Sequence, residues 1–157
     1  MIKRRKKAGY KLVDEFDDLC RTVVKEIAEG NVVGWFQGRL EFGPRALCNR
    51  SILGDARNPE MQKTINLKIK NRENFRPFAP SVLAEDVNNF FELETESPYM
   101  LFTVPISKEL RTVLPKNYHE KDMLSKLNVV RSNIPTVTHL DFSARLQTVH
   151  KESNSKF

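Results

Sequence analysis

Apolar residues recur at intervals of three and four between residues 16 and 27, which is the spacing of one face of an α-helix. The members of this stripe are Phe16, Leu19, Cys20, Val23, Val24 and Ile27. Asp14 can cap the helix, Asp17 follows three residues later, and Gly30 can end it. The pattern predicts a helix from Asp14 to just before Gly30.

Short runs of β-branched and aromatic residues predict strands at residues 32–36, 51–53, 81–83, 99–106, 136–140 and 144–149. Two further helices are predicted over residues 58–70, where Asn58 supplies a cap and Pro59 a first-turn residue, and over residues 85–91. The pattern weakens over residues 107–133, where we expect loops with short helices. Strands that alternate with helices predict an α/β or α+β fold with a mixed sheet.

The 157 residues are 39% hydrophobic and 29% charged, which is the composition of one globular domain. No apolar run is long enough to cross a bilayer, and no apolar segment of a secretory signal follows the basic N-terminus. The net charge of +6 depends on the five basic residues 3–7, since 21 basic and 20 acidic residues remain without them. We therefore interpret residues 1–12 as a disordered basic tail. Cys20 and Cys48 lack metal-ligand spacing, which favours free thiols in a cytoplasmic protein.

The densest cluster of chemically interesting residues lies directly after the first predicted strand. It contains Gly38, Arg39, Gly43, Pro44, Arg45 and Arg50. If Pro44 occupies the first turn of a helix, the free N–H groups there and the guanidinium of Arg45 would form a phosphate site. The alternative is a surface turn, with Arg45 solvated or tied to Glu41 or Asp55. Two glycines and three arginines in one loop favour the site.

A second cluster places Lys70, Arg72 and Arg76 at a helix end and the start of an extended segment. Cations near a helix C-terminus are favourable for dipole reasons alone, so a structural role is a strong alternative. Arg76 favours a site because it falls after the helix, between Phe75 and Pro77, which would restrain it.

In a third cluster, His139 and Asp141 lie two residues apart on a predicted strand and would point to the same face. They could share a hydrogen bond or a metal ion, although a structural pair is equally common. No third ligand stands at zinc spacing, so no metal site is predicted. Ser143 and Arg145 could instead contact a phosphate. No Walker loop, dinucleotide fingerprint or nucleophile elbow occurs.

Six blocks stand in order between about residue 32 and residue 149: GWFQGR at 34–39, EFGPRAL at 41–47, NRSIL at 49–53, FRPFAP at 75–80, SPYM at 97–100 and VTHLD at 137–141. Together they resemble the C-terminal domain of the O-carbamoyltransferases that include nodulation and antibiotic-tailoring enzymes. Any one block alone would not be specific.

The resemblance implies a YrdC-like twisted mixed sheet with flanking helices over residues 13–157. Such a domain would bind ATP, with Mg²⁺, and carbamoyl phosphate, and would form carbamoyl adenylate. A hydroxyl of a sugar or natural product would be carbamoylated in a separate, iron-holding N-terminal domain of the Kae1-like, actin-like ATPase type, which this chain lacks. A homodimer is a further expectation. The chain ends at Phe157, before a later segment of the family domain, so we expect the domain to be truncated.

Carried over by position, the resemblance implies that Arg45, Lys70, Arg76 and Arg145 line the pocket, with Ser143 as a phosphate contact. Arg39, Gly43 and Arg50 join this set as binding residues from the first cluster. We expect Arg39, Arg45, Lys70, Arg76 and Arg145 to converge on one concave surface. Two departures matter, because Cys48 and Phe142 stand where the family usually has glycine.

A second hypothesis is a non-catalytic RNA- or nucleotide-binding module on the same fold, whose basic face and tail would contact phosphates. Against RNA, Trp35, Phe36, Phe90 and Phe91 are expected in the core and not exposed for base stacking. A nucleic acid is therefore not an expected partner. A membrane is not expected either, since no apolar run is long enough to cross one.

Overall fold

The structure is a computed structural model that describes residues 9–157, so the basic run at residues 3–7 lies outside the described residues. The α-helices are α1 (Phe16–Ala28), α2 (Met61–Thr64), α3 (Val87–Phe90) and α4 (Met123–Leu127). The strands are β1 (Val33–Phe36), β2 (Arg50–Leu53), β3 (Ser81–Leu83), β4 (Thr103–Pro105), β5 (Ser143–Arg145) and β6 (Gln147–Val149). A π-helical segment (Ile65–Ile69) follows α2, and 3₁₀ turns cover Ala84–Asp86, Lys108–Leu110 and Pro135–Val137. The predicted α+β class is confirmed.

Within residues 9–157 the strands form three two-stranded sheets, of which β1–β2 and β4–β5 are antiparallel and β3–β6 is parallel. Residues 143–149 are central, because β5 pairs with β4 and β6 then pairs with β3. Between the two strands, the N–H of Leu146 donates to the carbonyl of Phe102 over 3.3 Å. Parallel and antiparallel pairing thus meet at one segment, although the pairs do not form the single twisted sheet that was expected. The YrdC-like topology stays a prediction.

Helix α1 begins two residues later than predicted. Glu15 stands at its N-cap, and neither it nor Asp14 caps the helix through a side-chain hydrogen bond. The predicted end is confirmed, because Gly30 has a positive φ of 88° and its N–H donates to the carbonyl of Ile27 over 3.0 Å. A left-handed glycine with this bond is a common helix stop. The ring of Phe16 packs edge-on against the ring of Trp35, with 6.3 Å between the ring centroids, and this contact places α1 against β1.

The helix predicted over residues 58–70 is confirmed over residues 61–69, but only its first part is α-helical. Asn58 begins a turn, α2 lasts four residues, and the chain then widens into the π-helical segment, where the N–H of Lys70 donates to Ile65 five residues back over 2.9 Å. Ile65 and Asn66, the first two residues of this segment, are both buried, with 3% and 0% of their surface exposed. An inward-facing asparagine is not part of the apolar stripe that predicted the helix.

Several other boundaries differ from the prediction. Residues 136–140 are not a strand but a 3₁₀ turn and an irregular segment, in which the hydroxyl of Thr136 donates to the carbonyl of Asn58 over 2.7 Å. The hydroxyl of Thr138 also donates to the carbonyl of Ile134, four residues earlier, over 2.8 Å. Local bonds of this kind compete with sheet pairing. The strand expected at residues 99–106 shortens to β4, and the helix at residues 85–91 becomes a 3₁₀ turn plus α3. The prediction of loops with short helices over residues 107–133 is confirmed.

The main core lies between α3 and the sheet pairs around β5. Its buried members are Val87, Phe91, Val104, Ile106, Ala144 and Leu146. Phe36 and Phe90 were expected there but are 67% and 37% exposed. A second apolar contact joins Met61 and Ile65 to the end of β2. No helix within residues 9–157 has the length and apolar composition needed to cross a membrane.

Candidate anion-binding site

A cavity of about 540 Å³ opens between β2, the loop before it and the segment of residues 77–81. Four cationic side chains line it, namely Arg45, Lys70, Arg72 and Arg145. Among the residues that the structure describes, none that lines this cavity is acidic. Apolar residues complete the wall, including Ile52, Phe78 and Met100. Hereafter this space is the cationic cavity.

Arg45 and Arg145 both line the cavity, and their positive charges interact. Burial, together with the positive charge of Arg45, lowers the pKa of the Arg145 guanidinium from its ordinary value. Within residues 9–157 neither of them, nor Lys70, forms an ion pair with a carboxylate. The two carboxylates considered as structural partners of Arg45 are engaged elsewhere, because Glu41 pairs with Arg50 and Asp55 with Arg57.

The loop before β2 binds a carboxylate of its own. Residues 37–49 contain no helix, so the expected first-turn site at Pro44 is wrong. The N–H groups of Leu47 and Asn49 instead donate to Oε1 of Glu41 over 2.7 and 2.8 Å, and Nε of Arg50 lies 3.2 Å from Oε2. Burial alone would raise the pKa of Glu41, but these bonds and Arg50 hold that pKa below its ordinary value.

Arg50 thus has a structural role in this loop, and Gly43 and Arg39 also form hydrogen bonds within it. Arg50 also donates to the carbonyl of Gly43, which has a positive φ of 114° and is exposed. The carbonyl of Arg39 accepts a bond from the side chain of Asn49 over 2.8 Å, and Arg39 is exposed outside the cationic cavity.

In the second cluster the cavity contains Lys70 and Arg72, whereas Arg76 lies outside. Arg72 donates from Nε to Oδ1 of Asn66 over 2.6 Å, and its guanidinium lies over the ring of Phe78 at 5.1 Å. Arg76 was expected to be restrained by its neighbours, but its side chain is 53% exposed and pairs with Glu73 over 3.0 Å.

The hydroxyl of Ser143 is already engaged by its neighbours. It donates to Oδ1 of Asp141 over 2.6 Å and lies 3.1 Å from Nδ1 of His139, so the expected link between His139 and Asp141 runs through Ser143. Burial lowers the pKa of His139, and Asp141 opposes this shift. His139 and Asp141 line a second cavity of about 410 Å³, which adjoins the first at Pro77.

Of the predicted site residues, the structure thus brings Arg45, Lys70 and Arg145 together. It places the others outside the cationic cavity: Arg39, Gly43, Arg50, Arg76 and Ser143. Arg72 and Phe78 are cavity residues that the sequence interpretation did not choose. Arg72 stands in the Lys70-Asn71-Arg72 sequence and Phe78 in the FRPFAP block, so both could have been proposed as site residues. Arg72 alone does not indicate a site, because a cation at a helix end is favourable for structural reasons.

The two departures from the family pattern coincide with unusual backbone. Cys48 and Phe142 have φ values of 85° and 63°, in the left-handed region that favours glycine. The thiol of Cys48 is buried, lies 3.4 Å from Oε1 of Gln147, and has its pKa raised to about 11 by burial. Both cysteines are free, and that of α1, Cys20, is half-buried.

Comparison with known proteins identifies the class to which this fold and this cavity belong. Residues 24–157 match the family of the carbamoyltransferase C-terminus, and the chain belongs to that family. This is a domain of carbamoyltransferases, and the resemblance inferred from the six blocks is confirmed.

Individual relatives make the relationship more specific. The chain is 56% identical to an uncharacterised protein of Synechocystis sp. over 90% of its length, and 43% identical to the nodulation protein NolNO of Sinorhizobium fredii over 95%. It is 38% identical over 82% of its length to the 3′-hydroxymethylcephem-O-carbamoyltransferase of Amycolatopsis lactamdurans. The match covers 23%, 19% and 20% of these three relatives, so the chain spans about a fifth of their length.

Proposed function

We propose that the cationic cavity binds ATP and carbamoyl phosphate, and that the domain converts them into carbamoyl adenylate. The observation that carries this proposal is the gathering of four cationic side chains with no acidic side chain in the described lining. Like charges that are held together repel one another unless an anion is their normal partner. Polyphosphates and carbamoyl phosphate are anions of that kind.

The chemistry of adenylate formation suits this lining. Water first cleaves carbamoyl phosphate to carbamate and inorganic phosphate; a carbamate oxygen then attacks the α-phosphorus of ATP, and pyrophosphate leaves. The domain must therefore neutralise charge on phosphate oxygens and needs no nucleophile of its own. Fixed guanidinium and ammonium groups do this. The cavity volume falls within the range of small-molecule sites, and Phe78 and Met100 offer apolar surface to a base. With no acidic side chain in the described lining, Mg²⁺ would be held by the phosphates of ATP and by water.

The acceptor step belongs elsewhere in this proposal. One relative is named for carbamoyl transfer to a hydroxymethylcephem, and the match covers a fifth of its length. We therefore assign transfer to a hydroxyl of a sugar or natural product to a separate N-terminal domain of the longer relatives. The domain described here would supply the activated carbamoyl group.

The competing hypothesis, RNA binding, depends on whether the cations lie along an open surface or inside a cavity. The argument against RNA that no aromatic residue is exposed for base stacking is wrong, because Phe36, Phe42 and Tyr99 are 67%, 108% and 62% exposed. An RNA strand needs an open, basic track with stacking surfaces, whereas the unpaired cations Arg45 and Arg145 line a cavity. This placement favours a small anion.

The test is calorimetric titration of the 157-residue chain with ATP and with carbamoyl phosphate. Replacement Arg45→Lys keeps the charge but loses the bidentate fork, so we expect binding to weaken by about 1–3 kcal/mol with an unchanged melting temperature. Arg21→Lys is the matched control, because Arg21 is exposed on α1 and does not line the cavity, and it should bind as the wild type does.

Three results would contradict the proposal: no binding of either anion, equal binding by Arg45→Lys, or a lower melting temperature with unchanged affinity per folded molecule. Pyrophosphate exchange into ATP that depends on carbamoyl phosphate would support the adenylate step. Salt-dependent retardation of RNA, without ATP binding, would favour the competing hypothesis instead.

A further inference from the structure

Asn66 is a completely buried polar residue at the edge of the cationic cavity. It lies in the π-helical segment Ile65–Ile69, between Ile65, which lines the cavity, and Lys70 and Arg72, which also line it. An amide without solvent contact must satisfy its hydrogen bonds inside the protein. Its partners therefore show what the residue does.

Every polar group of the Asn66 side chain has a partner. Oδ1 accepts the bond from Nε of Arg72 over 2.6 Å, while Nδ2 donates to the carbonyls of Arg76 and Asn74 over 2.8 and 3.3 Å. The main-chain carbonyl of Asn66 accepts a further bond from the N–H of Arg72 over 3.1 Å. Asn66 thus holds Arg72 by both its backbone and its side chain.

These contacts leave a defined part of Arg72 for a ligand. Asn66 occupies the Nε–H, and the ring of Phe78 lies against the guanidinium at 5.1 Å. The described chain supplies no hydrogen-bond acceptor to the two terminal nitrogens of Arg72, and the residue lines the cavity. A guanidinium anchored at Nε presents its terminal N–H groups as a fork, which is the geometry that binds phosphate oxygens.

We propose that Asn66 is a positioning residue that holds the guanidinium fork of Arg72 toward the anion in the cationic cavity. The identity of that anion rests on the proposed function, whereas the holding of Arg72 does not. Asn66 lies buried beside Ile65 within the π-helical segment. Such segments often occur at functional sites.

The first test is a double-mutant cycle on ATP affinity with Asn66→Ala and Arg72→Lys. Asn66→Ala should weaken binding about tenfold in the wild-type background, the scale of a lost charged hydrogen bond, and by less than about twofold when Arg72 is already lysine. Equal effects in the two backgrounds, or no effect in either, would overturn the proposal. Inorganic pyrophosphate serves as a second probe of the same cycle.

Gln62→Ala is the matched control. Its amide donates to the same carbonyls of Asn74 and Arg76, each over 3.3 Å, but within residues 9–157 it forms no hydrogen bond with Arg72. ATP affinity should stay within about twofold of wild type. A loss equal to that of Asn66→Ala would show that loop anchoring, and not Arg72, is what Asn66 supplies. If Asn66→Ala does not fold, Asn66→Asp keeps the acceptor for Arg72 and should retain more affinity than Arg72→Lys.

A second measurement needs no ligand. Hydrogen exchange at the Nε–H of Arg72, followed by NMR, should be slower than at the exposed Arg21 and should rise to the Arg21 rate in Asn66→Ala. If Arg72 exchanges as fast as Arg21 in the wild type, the positioning proposal is wrong whatever binds. If exchange is slow but wild-type protein binds neither ATP nor pyrophosphate, the proposed function fails while Asn66 still holds Arg72.

Discussion

Arg131 differs from the cavity arginines Arg45 and Arg145 in its surroundings. Arg131 is 4% exposed, and its guanidinium donates to main-chain carbonyls after α4 and before β5, including those of Val129 over 2.8 Å and Thr138 over 3.1 Å. Burial lowers the pKa of Arg131, but its hydrogen bonds are satisfied within the chain. Arg45 and Arg145 have no such partners within residues 9–157, so their charges remain available to a ligand.

Cys48 provides a prediction about backbone strain. Its left-handed φ of 85° costs a residue with a β-carbon about 1 kcal/mol, whereas glycine bears no such cost. We expect Cys48→Ala to lower the free energy of unfolding by about 1 kcal/mol, because it loses buried sulfur and keeps the strain. Cys48→Gly should be no less stable than Cys48→Ala. Urea denaturation measures both.

The other cysteine gives the control for this comparison. Cys20 lies within α1, where glycine is less favourable than alanine by about 1 kcal/mol. Cys20→Gly should therefore be clearly less stable than Cys20→Ala. The same order at both positions would mean that the backbone at Cys48 is not strained.

At the scale of elements, the end of β2 meets α2 with no space for a methyl group. A β-carbon on Gly54 would lie 2.8 Å from Sδ of Met61 and 3.0 Å from Cδ1 of Ile65. Met61 is 1% exposed and cannot move outward freely. We expect Gly54→Ala to lower the free energy of unfolding by about 1–3 kcal/mol, the usual cost of overpacking.

Gly34 tests the same change where space is available. No atom lies within 4 Å of the β-carbon position at Gly34 in β1, and its φ is not positive. Gly34→Ala should be neutral or stabilising by up to about 1 kcal/mol, because alanine reduces the entropy of the unfolded chain. Thermal unfolding that shows equal losses for the two variants would contradict the close contact between β2 and α2.

At the scale of the whole molecule, His139 links stability to pH. Its pKa lies below the ordinary 6.5 because burial disfavours the imidazolium, with Arg145 and Arg131 adding to the shift and Asp141 opposing it. The unfolded chain then binds more protons between the two pKa values, so stability is complete above about pH 6.5 and falls as pH decreases through the folded pKa.

The corresponding prediction concerns the slope of stability against pH. Between about pH 7 and pH 5, the free energy of unfolding should fall less steeply in His139→Gln than in the wild type, because the variant has no imidazole to protonate. Urea denaturation at several pH values measures this slope. Parallel curves would show that the folded and unfolded pKa values of His139 are equal.

The local pattern predicted much of the element order correctly. The stripe of α1, its glycine stop and the short strands follow from side-chain spacing and turn chemistry within a few residues. The six blocks likewise identified the family, because they are a property of the chain itself. The change to π-helical geometry within the predicted helix was not predictable in this way, since the buried side chain of Asn66 bonds to carbonyls of Asn74 and Arg76, which come later in the chain.

What the sequence alone determined is therefore the class of domain, the kind and approximate place of its elements, and the richness in arginine of the segments around the cavity. The tertiary structure decided which cations share a cavity: it grouped Arg45, Lys70 and Arg145, added Arg72, and left Arg76 paired with Glu73 at the surface. The physical reason is that element type depends on neighbours in the chain, whereas a common cavity depends on contacts between distant segments. One such contact is the bond from Gln147 to the carbonyl of Pro80, which joins the segment that carries Arg145 to the cavity wall over 2.9 Å.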